Sequence, residues 1–192
     1  MDALLDEALA FHQRGDLDAA ERRYRALLTG HGDHPEVLRL LAALLWQRSQ
    51  HDEAHALLHR ALKQAPERAD LHTLIGDVHF AEERYSDAIA AYRRALSLDA
   101  GQWSANCHLG LALQARGETE AAIAAHRAAI KCDPARGEGW YNLGLSLQSA
   151  SDTAGAEAAY KMALTLLPGD PEVLTNLGNI ALEQGRPAQA VE

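Results

Sequence analysis

Apolar residues follow one another along the chain at helical spacing, in pairs of short runs that are separated by polar or glycine-containing breaks. In one such pair, Leu143 and Leu147 belong to the first run, and Ala156 and Tyr160 belong to the second. A spacing of three or four residues places side chains on one face of an α-helix. The pattern therefore predicts pairs of amphipathic helices and an all-α chain.

The helix pair repeats with a period of 34 residues and without insertions. Two small residues, twelve places apart, mark every register of the repeat. Side chains larger than Ala would hold crossing helices apart, so these positions are expected to set the packing distance within each pair. The two series are Ala20, Ala54, Ala88, Ala122, Ala156 and Ala190, and Ala8, Ala42, Gly76, Gly110, Gly144 and Gly178.

The chain of 192 residues is predicted to form a single array of these units. The first unit is degenerate and suits an N-terminal cap, four full units follow, and the last unit is incomplete. Because the last unit lacks the helix that would cover its apolar face, we expect the chain to be a truncated piece of a longer protein, or to self-associate through this end. The units are residues 1–34, 35–68, 69–102, 103–136, 137–170 and 171–192.

Two further positions of the unit have a predicted structural role. Gly15, Gly117 and Gly185 mark the break between the helices, and elsewhere a polar stretch such as residues 151–153 is expected to cap the second helix. A large residue four places after each recurring alanine is expected to fill the space against the neighbouring hairpin. These residues are Tyr24, Leu58, Tyr92, His126 and Tyr160.

The repeat resembles a known family. The segment Trp140–Gly144 (WYNLG), followed by Ala156, Tyr160, Ala163 and Pro168, is similar to the 34-residue signature of the tetratricopeptide repeat. The resemblance covers the whole chain. It implies a right-handed α-solenoid of antiparallel helix pairs, in which the first helices line a concave groove. It also implies a non-catalytic scaffold that binds a peptide or a segment of a partner protein in that groove.

A second function stays open at this point. The segments 176–179 (NLGN) and 183–186 (EQGR) resemble the repeats in the arm of O-linked N-acetylglucosamine transferase. By this resemblance the chain would be the substrate-recognition arm of a glycosyltransferase, sulfotransferase or hydroxylase whose catalytic domain lies beyond residue 192. The chain itself contains no glycine-rich phosphate loop, nucleophile elbow or Cys-x-x-Cys motif, so we predict no enzyme activity and no cofactor for it.

The resemblance also suggests which side chains line the groove. Asn142 and Asn176 lie one period apart, and their amides are expected to hold the backbone of a bound peptide. Trp46 and Phe80 are expected either to anchor a ligand or to pack in the helix seam, and Cys107 to be a small apolar filler or a reactive thiol. The candidate set is Arg39, Trp46, Asp70, Thr73, Asp77, Phe80, Cys107, His108, Leu111, Gln114, Tyr141, Asn142, Leu145, Thr175, Asn176 and Asn179.

The charge of the chain narrows the class of partner. Lys and Arg number 18 against 27 Asp and Glu, which gives a formal net charge of −9 and argues against nucleic acid and anionic membranes as partners. An acid occupies the second position of five units. Acids in a first turn complement the helix dipole, and they could also form an acidic rim that attracts a basic partner. The five are Asp2, Glu36, Asp70, Glu138 and Glu172.

The remaining chemistry is sparse. His55 and His59 lie one helical turn apart, but no third ligand is evident, so they suggest at most adventitious binding of zinc or nickel and no metal site is predicted. Two cysteines, an acidic N-terminus and the absence of a long apolar run predict a cytoplasmic protein without an export signal or a membrane span.

Overall fold

In a computed structural model of the chain, residues 2–185 are described, and they form eleven α-helices joined by short turns. The prediction of an all-α fold built from helix pairs is confirmed. The helices are α1 (Asp2–Gln13), α2 (Leu17–His31), α3 (Pro35–Gln47), α4 (His51–Gln64), α5 (Ala69–Ala81), α6 (Tyr85–Leu98), α7 (Trp103–Ala115), α8 (Thr119–Cys132), α9 (Gly137–Ser149), α10 (Thr153–Leu166) and α11 (Pro171–Glu183). The predicted truncated end, from residue 186 onwards, lies outside the described residues.

The chain divides into two compact units, which we call the N-terminal unit (residues 1–78) and the C-terminal unit (residues 79–192). The core of the N-terminal unit is rich in leucine, and α3 alone buries Leu38, Leu41 and Leu44. The core of the C-terminal unit contains more alanine and tyrosine. Small side chains between its helices let the helix backbones approach closely.

The break between the paired helices has the same backbone conformation in every 34-residue repeat. The residue at the fifteenth position has a positive φ, from 59° to 80°, whether or not it is a glycine. At the first five of these positions, the following amide donates to a carbonyl five residues earlier, as Glu118 N does to Leu113 O at 2.9 Å. This left-handed turn ends the first helix of each pair. The six residues are Gly15, Ser49, Glu83, Gly117, Ser151 and Gly185.

The predicted cap after one of these turns is confirmed. The carboxylate of Asp152 accepts a hydrogen bond from the Gly155 amide at 2.9 Å, which satisfies one free N–H at the start of α10. Asp16 caps α2 in the same way through the Ala19 amide, at 3.1 Å.

Two of the large residues four places after the recurring alanines, His126 and Tyr160, pack against the first helix of their own hairpin. A Cβ added to Gly144 would overlap the ring of Tyr160, and one added to Gly110 would overlap the ring of His126. Tyr92 also reaches the next hairpin, where its ring lies 5.9 Å from that of His108. The expected contact with the neighbouring hairpin is thus only part of their role. The glycine on the first helix makes room for the ring on the second.

Candidate functional site

In the C-terminal unit the first helices α7 and α9 contact each other, and polar side chains join them. The Asn142 amide donates from Nδ2 to Cys107 Sγ at 3.2 Å, and the Ser146 hydroxyl donates to Gln114 Oε1 at 3.3 Å. Cys107 and Asn142 are therefore in contact, as are Ser146 and Gln114. The first bond connects two candidates about one period apart in the sequence, and the second connects the candidate Gln114 to Ser146, which is not in the predicted set.

Tyr141 joins α9 to α11. Burial and the nearby Glu172 carboxylate raise the pKa of the Tyr141 hydroxyl, while the Asn176 amide acts on that pKa in the opposite direction. The Asn176 amide also donates to the Glu172 carbonyl at 3.0 Å, within its own helix. Thr175 donates its hydroxyl proton to Pro171 O at 2.6 Å. The predicted asparagine pair is thus already partly engaged inside the protein, Asn142 with sulfur and Asn176 with Tyr141 and the helix.

Apolar side chains lie between these polar groups. Leu111, Tyr141 and Leu145 are partly exposed, although Tyr141 and Leu145 also pack on the core of the unit. His108 is partly exposed beside Tyr92, and Asn179 is exposed. We call Leu111, Tyr141, Asn142, Leu145 and Asn176 the first-helix surface.

The corresponding edge of the N-terminal unit is an ion-pair network. Arg39 contacts Glu36 at 2.6 Å and Asp70 at 3.2 Å, and Arg68 contacts both acids at 2.5 Å. Hydrogen bonds from the two arginines hold the pKa of Glu36 at about 2. The expectation that Glu36 and Asp70 form an open acidic rim is therefore wrong, because arginines of the same unit neutralise both.

The predicted aromatic anchors pack against their own hairpins. Trp46 lies 4.1 Å from the His51 ring and 6.3 Å from the His55 ring, at the start of the second helix of its pair. Phe80 lies 5.5 Å from the Tyr85 ring in the equivalent place. Both side chains are partly buried against the core, which corresponds to the seam alternative rather than to ligand anchors. Their position at the turn end of the hairpin explains this packing.

Three further candidates contribute little accessible chemistry. Cys107 is 3% exposed, and burial raises the pKa of its thiol, so it is an inert filler rather than a reactive thiol. Thr73 is 7% exposed and bonds to the Ala69 carbonyl at 3.1 Å. Asp77 is partly exposed and interacts with other residues of the protein.

The weak metal candidates, His55 and His59, do not belong to a metal-binding cluster in the described part of the chain. His55 packs beside Trp46 and His59 is exposed. Residues 2–185 contain no group of three His, Cys, Asp or Glu side chains that could hold a metal ion. None of the helices in this stretch has both the length and the apolar character needed to cross a bilayer.

Comparison with protein families agrees with the repeat seen in the structure. Models described as tetratricopeptide repeat match residues 11–78, 107–171 and 159–192, and one described as TPR repeat matches residues 76–117. The chain belongs to the tetratricopeptide repeat family. This membership supports a role in protein–protein interaction. A comparison with curated protein sequences gives no significant match.

Solved structures show the same fold. PilF of Pseudomonas aeruginosa has a TM-score of 0.90 at 16% identity, over 99% of this chain and 86% of that chain. PilW, a type IV pilus biogenesis factor, has a TM-score of 0.89 at 17% identity, over 99% and 88%. YrrB, described as a TPR protein with an unusual peptide-binding site, has a TM-score of 0.68 at 19% identity, over 95% and 90%. Because 412 chains match, the fold alone selects no partner.

Proposed function

We propose that this tetratricopeptide repeat chain is a non-catalytic scaffold that binds an extended segment of a partner protein on its first-helix surface. The observation that carries the proposal is the alternation there of partly exposed apolar side chains with amide groups. Leu111, Tyr141 and Leu145 offer apolar area to partner side chains. The Asn142 amide, between Tyr141 and Leu145, offers hydrogen bonds to a partner backbone.

The hydrogen bond that the Asn142 amide makes to Cys107 within the protein is weak. Its Nδ2 donates to a thiol sulfur, and sulfur is a poor acceptor, so a peptide carbonyl would replace Cys107 Sγ at little cost. Among the described residues, its Oδ1 has no hydrogen-bond donor. Asn142 therefore has both a donor and an acceptor to offer an extended chain. Asn176 contributes less, because its amide already bonds to the Glu172 carbonyl.

The test is selection of ligands from a random heptapeptide phage library on the full chain, followed by calorimetric titration of the selected peptides. The double variant Asn142→Ala, Leu145→Ala should weaken binding by about 10-fold or more, which corresponds to about 1.4 kcal/mol. Arg127→Ala, an exposed change on α8, is the matched control and should leave affinity unchanged. Circular dichroism must show the same helix content and melting for both variants.

Two results would contradict the proposal. One is a library that yields no binder. The other is a selected peptide whose affinity is the same for the wild type and for the double variant, because that peptide binds elsewhere.

The cytoplasmic location and the alternative role as the recognition arm of a larger enzyme stay predictions.

A further inference from the structure

Two groups of four residues occupy equivalent positions, three periods apart, in the two units. The first group is the ion-pair network of the N-terminal unit, and the second group lies where α9 and α11 begin. Each position of the first group corresponds to one position of the second. In chain order the pairs are Glu36 and Glu138, Arg39 and Tyr141, Arg68 and Asp170, and Asp70 and Glu172.

The first group is neutral and closed. Two carboxylates and two guanidinium groups cancel, and each arginine contacts both acids, with the pairs at 2.5–3.2 Å. Arg39 uses Nε and Nη2, the two arms of its fork, to reach Asp70 and Glu36. Such forked, charge-assisted contacts are the strong ones in proteins. The acids at these positions are thus able to hold a guanidinium group between them.

The second group keeps the acids and lacks the cations. Tyr141 replaces the first arginine, and the Glu172 carboxylate lies close enough to its hydroxyl to raise the pKa of that hydroxyl. Asp170 replaces the second arginine, and its carboxylate caps α11 by accepting from the amides of Glu172 and Val173 at 3.0 Å. Asp170 is close enough to Tyr141 to act on the titration of its hydroxyl. The formal charge of the group is therefore −3, against zero for its counterpart.

The nearest arginine in the sequence is held elsewhere. Arg136 precedes Glu138 by two residues. It is the last residue of its 34-residue repeat, as Arg68 is of its own. Its guanidinium pairs with Asp133 at 3.0 Å and lies 4.6 Å from the centre of the Trp103 ring. Glu138 itself is exposed and has no ion pair within the described part of the chain. The helix dipole accounts for acids in a first turn, but it does not account for the loss of both arginines.

We propose that the partner segment supplies the missing cation, an arginine side chain that docks beside Tyr141 with its guanidinium between Glu138 and Glu172. This inference rests on the proposed function, since the site adjoins the first-helix surface through Tyr141. Arginine is favoured over lysine because a planar fork reaches two carboxylates at once, as Arg39 does. The partly exposed Tyr141 ring also offers a face on which a guanidinium stacks.

The first test uses peptides selected from the random heptapeptide phage library on the full chain. The tightest binders should share an arginine, and replacing it by citrulline, which keeps the shape and removes the charge, should weaken binding by about 10-fold or more. Binding should also weaken as added NaCl shortens the screening length from about 10 Å to about 3 Å. The inference would be overturned by binders that lack arginine. It would also be overturned by binders whose affinity does not change when citrulline replaces the arginine.

The second test uses matched variants at equivalent positions. Glu138→Gln with Glu172→Gln should weaken the binding of the arginine peptide by about 10-fold or more. Glu36→Gln with Asp70→Asn, the same change in the N-terminal unit, should leave its affinity unchanged. Tyr141→Arg should also prevent binding, because it copies Arg39 and supplies the cation from within the protein. Circular dichroism checks that each variant is folded.

The outcomes separate this inference from the proposed function. A peptide that loses affinity with Asn142→Ala, Leu145→Ala but not with Glu138→Gln, Glu172→Gln would leave the scaffold proposal standing and refute the arginine site. A library that yields no binder would count against both. Equal loss of affinity from the N-terminal pair of substitutions would also refute the inference, because the acids of the two units would then not differ in function.

Discussion

At the residue scale, His126 is the least ordinary side chain of the fold. It is fully buried against Gly110, and neither ring nitrogen has a hydrogen-bond partner among the described residues. Burial lowers its pKa to about 4. The equivalent Tyr160 is equally buried, but its hydroxyl donates to Gln148 at 3.0 Å. The contact between α9 and α10 therefore contains a polar group with a hydrogen bond, Tyr160. The contact between α7 and α8 contains a polar group without one among the described residues, His126.

The first prediction concerns the stability of the protein below neutral pH. The unfolded chain takes up a proton on His126 near pH 6.5, whereas the folded protein does so only near pH 4. The contribution of His126 is thus fully present above about pH 6.5 and is lost as the pH falls to 4, by up to about 3 kcal/mol. Urea unfolding at several pH values measures this slope. His126→Phe should make it shallower, and an unchanged slope would show that other groups cause it.

The second prediction is that His126→Tyr stabilises the protein. The new hydroxyl would lie beside Gln114, as the hydroxyl of Tyr160 lies beside Gln148, and would complete a hydrogen bond worth about 1 kcal/mol. His126→Phe removes the unsatisfied nitrogens without adding the hydroxyl, so it separates the two effects. Chemical denaturation compares the three proteins at pH 7. A tyrosine variant less stable than the phenylalanine variant would refute the expected bond.

At the element scale, the turn between paired helices is more uniform than the sequence suggests. Glycines at Gly15 and Gly117 indicate a break, and the structure places Ser49, Glu83 and Ser151 in the same left-handed conformation. For a residue with a Cβ this conformation costs roughly 1 kcal/mol. The helix packing on either side evidently outweighs the local preference, and half of these turns retain some strain.

The third prediction follows from that strain. Ser151→Gly should raise the free energy of unfolding by about 0.5–1 kcal/mol, because glycine adopts a φ of +62° without a penalty. Ser149→Gly, two residues earlier at the last residue of α9, should have the opposite effect and cost up to about 0.5 kcal/mol. Thermal and urea unfolding measure both. The same sign for the two variants would contradict the assignment of strain to the turn.

At the scale of the whole molecule, helices within each unit pack against their neighbours in the chain, as α3 does against α2 and α4 and as α8 does against α7 and α9. Stability in such repeats is the sum of local terms and neighbour contacts, so damage in one pair spreads over a short distance. The separate cores of the two units have the same consequence. This permits the two ends of one chain to differ in charge and in function.

The fourth prediction tests this locality by hydrogen exchange. Gly144→Ala would push the new methyl group into the Tyr160 ring and should cost about 1–3 kcal/mol. Amides of α8 to α11 should exchange faster, while those of α1 to α4 should be unchanged. Gly30→Ala, at a helical site with open space around it, is the control and should be neutral or slightly stabilising. Faster exchange throughout the chain would mean that the molecule unfolds as one unit.

Much of the fold was predictable because it depends on spacing alone. Recurring small residues such as Ala88 and Gly110 establish the period, and a helix needs only its local pattern. The candidate site was predicted less well. Trp46 and Phe80 pack at the turn end of their hairpins, which no spacing rule shows. Asp170 is absent from the predicted set, and the structure shows its carboxylate accepting from the amides of Glu172 and Val173 at the start of α11.

By itself, the sequence determined that the protein is an all-α repeat with an acid at the second position of most units, because both features recur at one period. Only the tertiary structure decided which of these acids pair with an arginine of the same chain and which do not. Arg68 and Arg136 share one place in their units, yet Arg68 pairs with Glu36, and Arg136 is held by Asp133 and Trp103. The direction of a long, charged side chain depends on its neighbours in space, and a periodic pattern does not contain that information.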